Sequence, residues 1–217
     1  VFAVAAAPSK RETTQERAEI FEMRYGDTKT FLIINLGVFV FFCLSYWLVS
    51  DVIGAAQDML IPGASPYVSL VFLPTGVRIV ALILFDWRAI PPLLAGAVIC
   101  NYHFWGLTEF EPLFLLSAAS TLVFYLALKV SQKLGQSVFL EDTLPRLPAT
   151  ETVILVTFLG SALNGVVSAA LLGNSAAYLN GGLIAMGYIL GDVLGMLCFL
   201  LLVKKLFSFM NKQQINL

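Results

Sequence analysis

The sequence predicts an all-α, polytopic membrane protein: a six-transmembrane-helix bundle with its N- and C-termini on the cytoplasmic side. Composition is the first observation behind this. Of the 217 residues, 59% are hydrophobic and only 12% are charged, and the mean hydropathy is +0.85. A soluble domain carries about 25% charged residues. The second is spacing. Apolar runs at about 31–50, 67–86, 89–107, 112–130, 151–173 and 182–203 each approach the ~20 residues that cross the hydrocarbon. The third is the distribution of positive charge. Lys10, Arg11, Arg17, Arg24 and Lys29 precede the first run, Arg88 lies in the second connection, Lys129, Lys133 and Arg146 at or in the fourth, and Lys204, Lys205 and Lys212 after the sixth. Every basic residue except Arg78 therefore falls on one side, as the positive-inside rule requires of an even number of spans with both ends inside.

Taken in order, residues 1–30 read as a cytoplasmic N-terminal arm or surface helix. The chain opens on Val1, its first seven residues are apolar without a preceding basic residue, and Thr13-x-x-Glu16 has the form of a capping box. Residues 31–203 form the transmembrane domain, and 204–217 a cytoplasmic tail. Tyr46 and Trp47, Tyr67, and Tyr102 and Trp105 mark the outer ends of spans 1, 2 and 3, and Trp87 the inner end of span 2, since such rings favour the headgroup level. The Asp86-Trp87-Arg88 connection is so short that spans 2 and 3 must form an antiparallel hairpin. The longest connection, Ser131 to Thr150, reads as an ordered cytoplasmic loop. Cys43, Cys100 and Cys198 sit in apolar runs and read as small buried hydrophobes.

Two small-residue faces predict close helix packing, of spans 5 and 6 against each other or against span 2. Span 6 carries Gly187, Gly191 and Gly195, and span 5 carries Ser161, Gly165, Ala169 and Gly173, each set at four-residue intervals. Small residues so spaced let backbones approach in lipid.

The chemistry concentrates in span 2, where Pro74-Thr75-Gly76 interrupts the apolar run and Arg78 follows. A proline and a glycine loosen helical geometry, and an arginine at membrane depth costs at least a few kcal/mol unless it finds a partner or water. Counting along the spans at ~1.5 Å per residue puts Arg78, Asp192, Asn101 and Asn164, with Ser120 and Thr121, in one layer ~10–16 Å below the outer surface. One reading is a buried Arg78–Asp192 ion pair, trimmed by Asn101 and Asn164, that fixes helix register. The other is a cavity open to the outside, in which the helix restarting after Pro74 turns its N-terminus toward the entrance and, with Arg78, favours a small anionic ligand. No catalytic residues, cofactor or metal are expected: there is no metal-ligand cluster, no Gly-x-Ser-x-Gly and no HExxH, and the lone His103 reads as a headgroup contact. The expected partners are the lipid bilayer and a membrane protein or a second copy, and a net charge of -1 gives no ground for a nucleic-acid partner.

The run Phe72-Leu-Pro74-Thr-Gly76-x-Arg78-x-x-Ala81-Leu-x-Leu-Phe85-Asp-Trp-Arg88-x-x-Pro91, followed by Asn101, resembles the first signature of the MASE1 family, membrane-associated sensory domains of bacteria. Gly187-Tyr188-x-x-Gly191-Asp192-x-x-Gly195 is similar to the family's late signature. Phe72 or Leu73 stands where a tryptophan is more usual, Asp86 replaces a common glycine, and the family usually has more than six spans. The resemblance implies a multi-pass sensor-like or ligand-binding module of the bacterial cytoplasmic (inner) membrane, and, with no output domain after Leu217, one that acts through a partner protein. The number of helices, the termini and the polar layer also look like the substrate-capture subunits of energy-coupling-factor transporters. A third reading is a non-catalytic accessory subunit of a larger membrane complex.

Overall fold

A computed structural model describes residues 28–60, 69–134, 150–172 and 181–215. The arm up to residue 27, Tyr67, the connection 135–149 and Gly173 lie outside the described residues. The chain divides into two units, Val1–Gly37 and Val38–Leu217. The described part of the first is helical, with the Asn35 amide nitrogen donating to the Phe31 carbonyl at 2.8 Å. The second carries Arg78, Asp192 and the other polar residues of the predicted layer.

The regular structure among the described residues is helical throughout. Helix α1, Thr28–Trp47, runs through a π-helical turn, Leu48–Ile53, into α2, Gly54–Leu60. Helix α3, Pro74–Phe85, is joined by a 3-10 turn, Asp86–Ala89, to α4, Ile90–Trp105. Helices α5, Phe110–Lys133, α6, Thr150–Leu172, and α7, Gly181–Ile215, complete the chain. Among the described residues, five stretches are long and apolar enough to cross a membrane. That differs from six runs because Pro74–Trp105 is one apolar stretch folded back on itself. At its turn Asp86 adopts φ +51°, and the ring of Phe72, two residues before the stretch begins, meets that of Trp105, its last residue, at 6.2 Å.

Helix α3 has only 12 residues, ~18 Å of rise. It starts at Pro74, whose missing N–H is harmless at a first helical position. The residues before it, 69–73, cross α7 without helical structure. A Cβ on Gly191 would stand 2.0 Å from the Ser69 carbonyl oxygen, and one on Gly195 would stand 2.1 Å from that of Phe72. Non-helical backbone at membrane depth needs its polar groups satisfied within the protein. The Phe72 N–H donates to the Gly191 carbonyl at 2.8 Å, and the Leu70 N–H to Gln57 Oε1 at 2.8 Å. Thus Gly191 and Gly195 serve a crossing segment rather than a neighbouring helix. The α6–α7 seam closes at Gly165, where an added Cβ would lie 2.7 Å from the Ala185 carbonyl oxygen. Ser161 is buried on α6, while Ala169 and Gly187 are half-buried.

Packed against α5, α6 and α7, α3 is buried on nearly every side. Helix α5 joins α4 to α6, and α6 packs along α7. Helix α4 ends at Gly106, φ +64°, whose N–H bonds the Asn101 carbonyl. A left-handed residue of this kind favours glycine. Helix α7 continues 12 residues beyond the predicted end of its span, to Ile215, because the sequence after Gly195 contains neither glycine nor proline.

Candidate functional site

Arg78, Asn101, Asn164 and Asp192 come together inside the helical bundle, though Arg78 and Asp192 do not form an ion pair. Asp192, 1% exposed, accepts the Thr75 hydroxyl on Oδ1 and the Asn164 amide on Oδ2 at 3.0 Å. The buried Ser161 hydroxyl lies beside the same carboxylate. Arg78 makes neither a hydrogen bond nor an ion pair to it. Thr75 stands one helical turn before Arg78 on α3 and so meets Asp192 first. The guanidinium passes on between two rings, 5.4 Å from the Phe42 centroid and 5.1 Å from that of Phe124. Both separations lie within cation–π range. Arg78 is only 2% exposed, yet its Nε and Nη1 have no acceptor among the described residues. Burying such donors unpaired is unfavourable by ~1–3 kcal/mol or more for a charged group.

Asn101 is held by an ordered chain. It accepts the Tyr46 hydroxyl at 2.6 Å and donates to Ser117 Oγ at 2.9 Å. Ser117 in turn donates to the Leu113 carbonyl at 2.7 Å, and its own carbonyl accepts the Ser120 and Thr121 hydroxyls at 3.1 and 3.0 Å. Both amide groups of Asn101 are therefore engaged, which fixes its orientation.

Arg78, Asn101, Ser120, Asn164 and Ser168 form the polar wall of a chamber of about 20 Å³, room for about one water. Ala97 and Leu116 line it too, and the rings of Tyr46, Phe72, Trp105 and Tyr188 complete the wall. These rings pack as one cluster. Tyr46 meets Phe72 edge-on at 5.2 Å, and Trp105 meets Tyr188 edge-on at 6.2 Å, separations favourable for aromatic pairs.

Of the residues singled out in the sequence, Arg78, Asn101, Asn164 and Ser120 line the chamber. Asp192 and Thr75 stand behind its wall, bonded to each other. Gly76 faces α7: a Cβ there would lie 2.4 Å from Phe199. The N–H groups of Thr75 and Gly76 are taken by the Phe72 and Leu73 carbonyls, so the start of α3 does not turn free donors toward the chamber.

The residues that sequence reasoning missed share one signal. Trp105, Ser168 and Tyr188 each lie four residues from a predicted polar position, respectively Asn101, Asn164 and Asp192. Each is one helical turn nearer the predicted outer surface. Trp47, Trp87 and Tyr102 are about half exposed, at 49–56%, while Tyr46 is 2% exposed and faces inward.

Among the described residues, five stretches long and apolar enough to cross a membrane, together with a polar chamber lined by their side chains, mark a multi-pass, helical membrane protein. The MASE1 family model matches residues 52–216. The chain belongs to that family of membrane-associated sensory domains. No curated protein and no solved structure matches it.

Proposed function

We propose that this sensory domain takes a small anion into the chamber from the outer side of a bacterial cytoplasmic membrane and passes its occupancy to a partner protein. The observation that carries the reading is Arg78. Its charge is buried, it is held by rings rather than by a counter-ion, and two of its nitrogens have no acceptor among the described residues. An anion on those donors would complete their hydrogen bonds. The role is binding rather than catalysis. In the proposed topology α3 and α4 are separate spans, which gives six with both termini cytoplasmic. The grouping of basic residues on alternate connections supports it.

The test is anion binding by the full chain in lipid nanodiscs, read by tryptophan fluorescence, to which Trp105 contributes from the chamber wall, and by calorimetry. Sodium acetate is the first probe. Saturable binding by the native chain and none by Arg78→Gln is expected. Binding indifferent to Arg78→Gln would refute the site. A second reading, an accessory subunit with a structural polar layer, is favoured by the chamber's water-sized volume. It requires that no anion bind and that Arg78→Gln impair assembly with the larger complex.

A further inference from the structure

The chemistry of the ligand, resting on the anion-site reading, narrows further through the donors and acceptors that the chamber leaves over. Arg78 offers Nε and Nη1, which can only donate. Asn164 offers the opposite. Its Nδ2 donates to Asp192 Oδ2 at 3.0 Å. A carboxylate accepts only, so the amide cannot turn over without losing that bond. Its Oδ1 is thereby fixed as an acceptor, buried and without a donor among the described residues. Ser168, one turn along α6 and 1% exposed, has a hydroxyl likewise without a partner there and can serve either way.

A halide or a simple carboxylate would satisfy Arg78 and leave Asn164 Oδ1 dry. We infer that the chamber selects a small oxyanion that carries its own O–H donor, of the 2-hydroxycarboxylate class: the carboxylate on Arg78, the hydroxyl donating to Asn164 Oδ1. The chamber has room for about one water. Even glycolate, the smallest member of that class, exceeds this volume, so the chamber wall must move apart to admit it.

Three acids separate this from the simpler reading: acetate has no second polar group, glycolate has the hydroxyl, and methoxyacetate keeps the oxygen but has a methyl in place of its hydrogen. Titrated into the native chain in nanodiscs, glycolate should bind about tenfold or more tighter than acetate, the penalty for a buried acceptor left unpaired. Methoxyacetate should bind no better than acetate. In Asn164→Leu the glycolate advantage should vanish, and if that variant fails to fold, the comparison of the three acids on the native chain decides alone. Equal binding of acetate and glycolate, lost in Arg78→Gln, would overturn the hydroxyl requirement and leave the anion site standing. No saturable binding of any of the three would overturn both.

Discussion

The two buried charges among the described residues, Asp192 and Arg78, are treated in opposite ways. Asp192 on α7 has a donor on each carboxylate oxygen, a hydroxyl from α3 and an amide from α6. Arg78 on α3 has rings from α1 and α5 on its flanks and, among the described residues, no acceptor on two of its nitrogens. The carboxylate is built into the fold, whereas the guanidinium is accommodated by it. A buried ion whose bonds are complete belongs to the structure, and one whose bonds are incomplete is poised for something else.

The contrast depends on the segment 69–73 lying across α7, because that crossing brings Thr75 to Asp192. Breaking it should have the largest effect. Gly195→Val would drive a side chain into the Phe72 backbone, whose oxygen, carbon and nitrogen all lie within 2.8 Å of the new Cβ. The destabilisation should exceed ~4 kcal/mol, read as loss of folded protein in size-exclusion profiles of detergent extracts.

Next comes the carboxylate itself. Thr75→Val keeps the shape of the side chain and removes the donor to Asp192 Oδ1. It should cost about 1–3 kcal/mol in chemical denaturation. Asp192→Asn should lower the further cost of Thr75→Val, since the two side chains bond directly. An additive double mutant would mean that Thr75 matters for α3 alone.

The guanidinium should answer differently. Arg78→Met removes the charge and keeps much of the side chain's length. Replacing a buried ion by an apolar group of similar volume is often neutral or stabilising, by up to ~1–4 kcal/mol. The variant should therefore melt no lower than the native chain while losing all response to glycolate and acetate. A large fall in the melting temperature would place Arg78 with Asp192 as a structural charge and dissolve the contrast.

The smallest effect belongs to the turn between α3 and α4. Asp86 holds φ +51°, unfavourable for a residue with a Cβ by roughly 1–2 kcal/mol, and pairs with Lys129 at 2.7 Å. Partly exposed pairs contribute ~0–1 kcal/mol. Asp86→Gly should raise stability by about 1 kcal/mol or less, and Lys129→Gln in that background should then change nothing measurable in the melt.

Much of the architecture was legible along the chain. Hydropathy marked every apolar stretch, because a membrane helix must satisfy its backbone internally and cover its length with apolar side chains. Depth counting put Arg78, Asn101, Asn164 and Asp192 in one layer, because helical rise converts residue number into distance. Direction around each helix was another matter. Whether Arg78 meets Asp192 or two phenyl rings, and whether Tyr46 faces headgroups or Asn101, depends on rotations set by neighbouring helices.

By itself, then, the sequence determined an all-helical membrane protein with a shared polar layer, and its signatures pointed to the sensory family. Only the tertiary structure decided that Gly191 and Gly195 make room for a non-helical stretch of backbone, that Thr75 takes Asp192, and that two Arg78 donors find no acceptor among the described residues. The physical reason is that burial and depth follow from one helix at a time, whereas a hydrogen-bond partner is chosen by three or four helices at once.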